Sequence, residues 1–250
     1  MDAESSNPEV TVVMPAYNLE HVIVDSVREV CQVLEDLRSS YEVIVVDDGS
    51  DDGTYEAVSS LDDGERIRVF RNGVNEGKGS AIKKGVLHAA GRYTIILDAD
   101  MDIDPIQIML YLEFLKDADV IIASKRHPSS IYEAPLIRKF LSRGFNILVQ
   151  ILTGLKVSDT QTGLKAFRTD ALKNIISNVL VKRYTFDVEV LTLANLLDLR
   201  IVEAPVKVKV GKAFGFKNIT QMFMDLLGIT YRLRICLLYT SPSPRDLSTS

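Results

Sequence analysis

Short apolar runs alternate with stretches of helical periodicity over the first half of the chain. Val10–Met14 reads as a buried strand, and Tyr41–Val46, Ile67–Phe70, Tyr93–Leu97 and Asp119–Ser124 read as four more. Between them, Val27, Val30, Val33, Leu34 and Leu37 recur at helical spacing within Glu20–Arg38, and a second helix is predicted over Gly79–Ala90. Strands this apolar keep no polar face for water. With helices between them they predict an α/β class protein, a mostly parallel sheet with helices on both faces.

The second half is less regular. Ala134–Thr153 predicts a long helix on which Lys139, Arg143, Asn146 and Gln150 form one narrow stripe, while Leu136, Phe140, Phe145, Leu148 and Leu152 lie elsewhere. Asn218–Arg234 predicts another, carrying Met222, Phe223, Leu226, Leu227, Ile229 and Leu233 and ending in Tyr231, Arg232 and Arg234. Such greasy, basic helices are either core or interfacial, and by pattern alone core is the commoner case. No apolar run reaches the ~18 residues needed to cross a bilayer. The predicted organisation is a flexible N-terminus (1–9), too short, polar and acidic for a secretory signal, one domain over 10–235, and a tail over 236–250. That tail is rich in Ser, Thr and Pro and without periodicity. It resembles translated vector or adapter sequence, and is expected to be disordered and non-native.

Composition sharpens the picture in two places. Of 250 residues, 46% are hydrophobic and 25% charged, enough for a buried core and against wholesale disorder. The net charge of −5 hides a division: residues 1–104 hold 22 acids and 9 bases, residues 105–250 hold 12 acids and 20 bases. The first part suits cations and the second suits anions, either phosphates or an acidic membrane surface, unless surface charges have segregated by chance. Nucleic acid is not an expected partner. Cys31 and Cys236 form no disulfide framework, and with His21, His88 and His127 scattered, no zinc spacing exists. A reducing compartment follows.

In an open α/β sheet, ligands bind beyond the carboxyl ends of the strands. Here those ends carry Pro15-Ala16-Tyr17-Asn18, Asp47-Asp48-Gly49-Ser50-Asp51-Asp52-Gly53-Thr54, Asp98-Ala99-Asp100-Met101-Asp102, and Ser124-Lys125-Arg126-His127-Pro128. Asp98 and Asp100, two residues apart just past a buried strand, suit Mg²⁺ or Mn²⁺, hard cations that take carboxylate oxygen, water and substrate phosphate. Asp102 completes the candidate metal set, although a solvated turn or helix cap is the commoner role for Asp102 and Asp104. Two motifs fail. The Asp98-Asp100-Asp102 run lacks the Gly and Glu of an EF-hand loop, having Ile103 and Met109 there, and Gly73–Ser80 lacks P-loop spacing. No G-x-G-x-x-G follows the first strand, and no His or Cys nucleophile arrangement is visible, which argues against nicotinamide dehydrogenases and hydrolase triads.

The segments VVMPAYN, VIVVDDGSDDGT, NEGKGSAIKKG and ILDADMD resemble the inverting family-2 glycosyltransferases over about residues 10–126. The resemblance implies a GT-A fold, with a Rossmann-like sheet, and a nucleotide-sugar donor. It implies a nucleoside pocket lined by Pro15, Ala16, Tyr17 and Asn18, base and ribose contacts from Asp47 and Asp48, and Lys78 and Ala99 on the donor side. Asp98 and Asp100 become the DxD motif, gripping ribose and metal-bound diphosphate. YNLE stands where many members have YNE, which places Glu20 one position late.

RKFLSRGFNILVQILTG, DTQTGLKAF and YTFDVEVL further resemble transferases that load hexose onto dolichyl or polyprenyl phosphate, the glucosyltransferases above the mannose synthases. That implies an acceptor half over 127–235, facing the cytoplasmic side of a membrane, and turns the expectation for the two greasy helices to interface helices. Arg138 and Ser142, at i and i+4, can together hold an acceptor phosphate. Lys125 and Arg126 stand where the family has Gly-Ser-Arg, and Lys209 and Lys217 are later basic candidates. Each of these cations is equally readable as a solvated surface charge. Asp159 is expected to position the acceptor loop, with Asp187 and Glu189 behind it. Asp187 is as readily a helix N-terminal carboxylate. Asp159 and Asp187 are the candidate bases for a hydroxyl acceptor, and a nucleotide-sugar-binding subunit without catalysis is a further alternative. UDP-glucose and GDP-mannose both remain open as donors, as does the oligomeric state.

Overall fold

The computed structural model of the protein describes residues 7–183, 185–209 and 216–234, without the side chains of 136, 138 and 216–219. The expected tail, most of the N-terminal segment, the Arg138 side chain and that of Lys217 therefore lie outside the described residues.

The predicted strands form with small shifts: β1 (Val10–Ala16), β2 (Tyr41–Asp47), β3 (Ile67–Arg71), β4 (Tyr93–Leu97) and β5 (Val120–Ala123). Helices α1 (Ile23–Asp36), α2 (Thr54–Ser59) and α3 (Lys78–His88) connect the first four. After β4, Asp104 caps a 3₁₀ turn (Pro105–Gln107) by accepting from Ile106 N at 3.0 Å, and α4 (Ile108–Phe114) follows. β6 (Ile131–Tyr132), α5 (Leu136–Thr153), β7 (Leu164–Arg168), α6 (Thr169–Asn178), α7 (Phe186–Leu196), β8 (Ile201–Ala204), β9 (Lys207–Val208) and α8 (Phe216–Arg234) complete the described chain.

Seven strands make one sheet in the order β3-β2-β1-β4-β7-β5-β8. All neighbours run parallel except β7, which pairs antiparallel to both β4 and β5. Side-chain alternation divides the core into two layers. Val12, Met14, Val43, Val45, Ile95 and Leu97 pack under α1 and α4. Val13, Ile44, Val46, Ile96 and Phe167 pack under α3, α6 and α7, together with Val149 of α5 and Leu226 and Ile229 of α8. Order and direction confirm the α/β class with a mostly parallel sheet covered on both faces. They also bring the carboxyl ends of β1, β2, β4 and β5 to one edge.

Helices α5 and α8 depart from ordinary burial. Ile137, Phe140 and Ile151 of α5 are 76%, 78% and 65% exposed, and Phe223, Met224, Leu227 and Tyr231 of α8 are exposed as well. Asn146, from the polar stripe of α5, is buried instead. Of the stripe only Asn146 turns inward, while Lys139, Arg143 and Gln150 stay exposed, and α5 packs on the core through Phe145, Leu148, Val149 and Leu152 while leaving a second apolar face open to solvent. Among the described residues no helix is long and apolar enough to cross a membrane.

Candidate active site

The donor-side loops are built by carboxylates that hold backbone. Asp47, wholly buried at the end of β2, accepts from Ser50 N and Ser50 Oγ and pairs with Arg71 Nε at 3.2 Å. Asp48, also buried, accepts from Asn72 Nδ2 at 2.8 Å, Glu76 N at 3.1 Å and Gly77 N at 2.7 Å. Gly49, at φ +69°, lets this turn lie against the 74–75 backbone, where a Cβ would stand 2.6 Å from Val74 C. Both aspartates are thus committed to the protein's own loops. Their observed work is to shape the loop after β2 and fix the start of α3.

Pro15 and Ala16 are buried in β1, and Asp48 N donates to Ala16 O at 2.8 Å. Tyr17 is exposed beyond them, its hydroxyl 3.2 Å from Asp51 Oδ2. Asn18, at φ +53°, donates from its N to Ser50 Oγ and accepts from Asp51 N, both at 3.0 Å. Glu20, one place late, accepts from Gly53 N at 3.2 Å and so closes the same loop.

Past β4, Asp98 and Asp100 flank the buried Ala99. Lys78 Nζ lies 2.8 Å from Asp98 Oδ2 and 2.6 Å from Oδ1. The contact to Oδ1 lacks hydrogen-bond geometry, so that buried oxygen has charge pairing but no hydrogen bond. Burial acts to lower the Lys78 pKa, but Asp98 and then Asp187 overcome it and hold the ammonium charged. Desolvation, followed by the Asp98 and Asp102 carboxylates, pushes Asp100 up to about 6. Asp102 N donates to Asp100 Oδ1 at 3.2 Å, and Lys209 N donates to Asp102 O at 2.8 Å, which ties the β9 end to this loop.

These observations fit a divalent cation. Burial and the neighbouring Asp98 and Asp102 carboxylates raise the Asp100 pKa, the mark of a site that gains from added positive charge. Among the described residues no three His, Cys, Asp or Glu side chains form a complete cage. A cation here would draw the rest of its ligands from water and substrate phosphate, as Mg²⁺ and Mn²⁺ do.

The second cluster is basic. Lys125 Nζ lies 3.4 Å from Asp159 Oδ2 and 5.6 Å from the Tyr132 ring centre, and Arg126 Nη1 donates to Ser158 O. Buried Asp159 also accepts from Lys125 N, Gln161 N and Thr162 Oγ1. Burial would raise its pKa, but Lys125, Thr162 and the two backbone N–H groups hold it below the usual carboxylate range. Asp187, in the first turn of α7, is buried in an ion pair with Lys165 at 2.9 Å, and Lys165 also donates to Thr162 O. Glu189, fully buried, accepts from Leu180 N and Val181 N and pairs with Arg232 at 2.6 Å. Arg138 occupies the first turn of α5, and Ser142, partly buried, follows on the same helix with its carbonyl accepting from Asn146.

Residues 158–163 join the two clusters. Asp159 holds Lys125, while Gly163 O accepts from Asp98 N at 3.0 Å. A Cβ at Gly163 would stand 2.2 Å from Asp98 Oδ2, so only glycine leaves room for that carboxylate. Glu203 of β8 accepts from Ser158 N and Oγ, and Asn146 and Gln150 of α5 bond Thr160 and Val157 O. Gly163, Glu203, Asn146 and Gln161, whose buried Nε2 has no hydrogen-bond partner, were not singled out as site residues. Their place on the polar stripe of α5 was the available signal for Asn146 and Gln150.

Comparison with known proteins agrees with this geometry. The profile of glycosyl transferase family 2 matches residues 11–176. The chain is 31% identical to a dolichyl-phosphate beta-glucosyltransferase of Dictyostelium discoideum over 92% of this chain and 77% of that one. Against proteins of the same description, it is 32% identical in Drosophila melanogaster, covering 92% and 76%, and 31% in Homo sapiens, covering 92% and 77%. In fold it is similar to glucosyl-3-phosphoglycerate synthase from Mycobacterium tuberculosis. The complex of that enzyme with Mn²⁺ and UDP-glucose superposes with a TM-score of 0.67 at 19% identity, covering 90% of this chain and 78% of that one.

Proposed function

The chain belongs to glycosyl transferase family 2, and from that premise we propose that it transfers a hexose from a nucleotide sugar to dolichyl or polyprenyl phosphate, with inversion. The relatives' activity favours glucose, hence UDP-glucose as first donor, with GDP-mannose second. One observation carries the reading. Helix α5 presents an exposed apolar face outward and binds, through Asn146 and Gln150, the loop that holds both Asp98 and Lys125. A lipid anchored on that face has its phosphate delivered beside the donor site.

The chain's own groups divide the work. Pro15, Ala16, Tyr17 and Asn18 line the nucleoside side. Lys125, Arg126, Arg138 and Ser142 receive the acceptor phosphate, whose second pKa near about 6 leaves it ionised and nucleophilic without a strong base. Asp98 and Asp100 would hold Mg²⁺ or Mn²⁺, which when bound supplies positive charge to the departing diphosphate, while Asp102 on the same loop does not complete a three-carboxylate set with them. Asp159 and Asp187 act as positioning residues. Both are engaged in ion pairs, and Asp159 is held below the usual carboxylate range, which weighs against a sugar hydroxyl as acceptor. The exposed faces of α5 and α8 rest on the membrane surface, as a peripheral contact on the cytoplasmic side.

The test is incubation with polyprenyl phosphate, Mn²⁺ and a panel of labelled nucleotide sugars. Label entering the lipid from UDP-glucose supports the reading. Tight nucleotide-sugar binding with no product from any donor would replace it with a non-catalytic binding role.

A further inference from the structure

Lys78 spans both oxygens of the aspartate assigned to the metal, at 2.6 and 2.8 Å. The backbones of both partners are fixed. Asp98 is backed by Gly163, where even a Cβ would stand 2.2 Å away, and its own N is bonded to Gly163 O. Lys78 is the first residue of α3, whose approach is fixed by Asp48 on Glu76 N and Gly77 N. Asp98 cannot retreat toward Gly163, and the long lysine stem is the more flexible of the two side chains. The carboxylates around the ammonium are Asp98, Asp100 and Asp187, and Asp187 is already held by Lys165 at 2.9 Å. A divalent cation and an ammonium on the same two oxygens repel strongly in such a site. Among the described residues, the carboxylates that act on Lys78 are then taken by the metal or by Lys165, so its natural partner is an incoming anion.

We propose that Lys78 is an internal placeholder cation: it occupies Asp98 in the absence of ligands, is displaced when the metal enters, and then pairs with the diphosphate of the nucleotide. Metal and nucleotide thereby bind as a coupled pair, each removing the cost the other meets. This rests on Asp98 and Asp100 holding the donor's metal.

Mn²⁺ titration, followed by the electron-spin resonance of free Mn²⁺, tests it with and without UDP. The wild type is expected to bind Mn²⁺ weakly alone and at least about tenfold more tightly with UDP. Lys78→Met is expected to bind Mn²⁺ alone about tenfold more tightly than wild type, with most of the UDP effect gone. Weaker or unchanged Mn²⁺ binding by a folded Lys78→Met would overturn the placeholder. Amine-reactive labelling of the wild type, read at Lys78 by mass spectrometry, is independent of that variant's folding. Mn²⁺ alone should increase labelling and Mn²⁺ with UDP should suppress it, whereas no increase with Mn²⁺ would overturn the proposal. A wild type that binds no Mn²⁺ even with UDP would instead overturn the metal assignment itself.

Discussion

Gly163→Ala changes no charge and removes no functional group, yet it strikes the centre of the site. The added Cβ falls 2.2 Å from Asp98 Oδ2, 2.6 Å from Cγ and 3.0 Å from Cβ. Ordinary carbon contacts begin near about 3.5 Å, so the whole carboxylate must retreat by roughly 1 Å. That retreat breaks the Lys78 contacts and moves the principal metal ligand. A displacement of this size in a positioned group costs about 10²-fold in rate. The Asp98 side chain is 28% exposed and can shift into the cleft, which keeps the overpacking cost at the low end of about 1–3 kcal/mol. For a chain of this size that is a few degrees of melting temperature. Initial rates of hexose transfer with varied Mn²⁺, paired with thermal melts, separate the two effects. Turnover within threefold of wild type in a folded variant would refute the argument that Asp98 must sit where it does. A collapse in melting temperature would show Gly163 to be a folding residue instead.

Asp100→Asn is expected to abolish metal-dependent transfer while leaving the fold intact, read by product formation and circular dichroism. Because the folded Asp100 carboxyl titrates near 6 against 3.8 for the free group, its ionisation opposes folding above about pH 6 and has no effect below about pH 4. Metal-free melts should therefore show Asp100→Asn stabilised at pH 7 and equal to wild type at pH 4, and no difference between the two pH values would contradict the shift. Lys165→Met leaves Asp187 buried and unpaired and should cost about 3–5 kcal/mol in urea unfolding. Phe140→Asp with Ile151→Asp should abolish co-sedimentation with anionic vesicles without lowering the melting temperature, and persistent sedimentation would remove α5 from the membrane contact.

The sheet edge was legible because β1, β2, β4 and β5 are apolar runs whose ends carry unusual residues, and local pattern suffices for both. Strand β7 was not read. Its buried Lys165 looks like a surface residue until Asp187, 22 positions on, and Thr162 O supply its partners. Its antiparallel insertion between β4 and β5 is a non-local pairing that no window of sequence contains. The body of helix α7 carries no amphipathic period because Phe186–Ala194 is buried on every side, so only Asp187, readable as a helix N-terminal carboxylate, hinted at it. The aspartates of the second strand were identified, but their commitment to Ser50, Arg71, Asn72, Glu76 and Gly77 emerges only when the loops meet. The polar stripe of α5 was visible as a stripe, and only the structure shows that Asn146 alone of its four residues is buried.

The most direct measurement offers the purified protein UDP-[¹⁴C]glucose and Mn²⁺ with either polyprenyl phosphate or the same polyprenol lacking its phosphate. The account predicts organic-extractable label with the phosphate alone, since the phosphate is both the nucleophile and the group the basic cluster holds. Equal labelling of the alcohol, or labelling of a hydroxyl acceptor in preference to the phosphate, would contradict it.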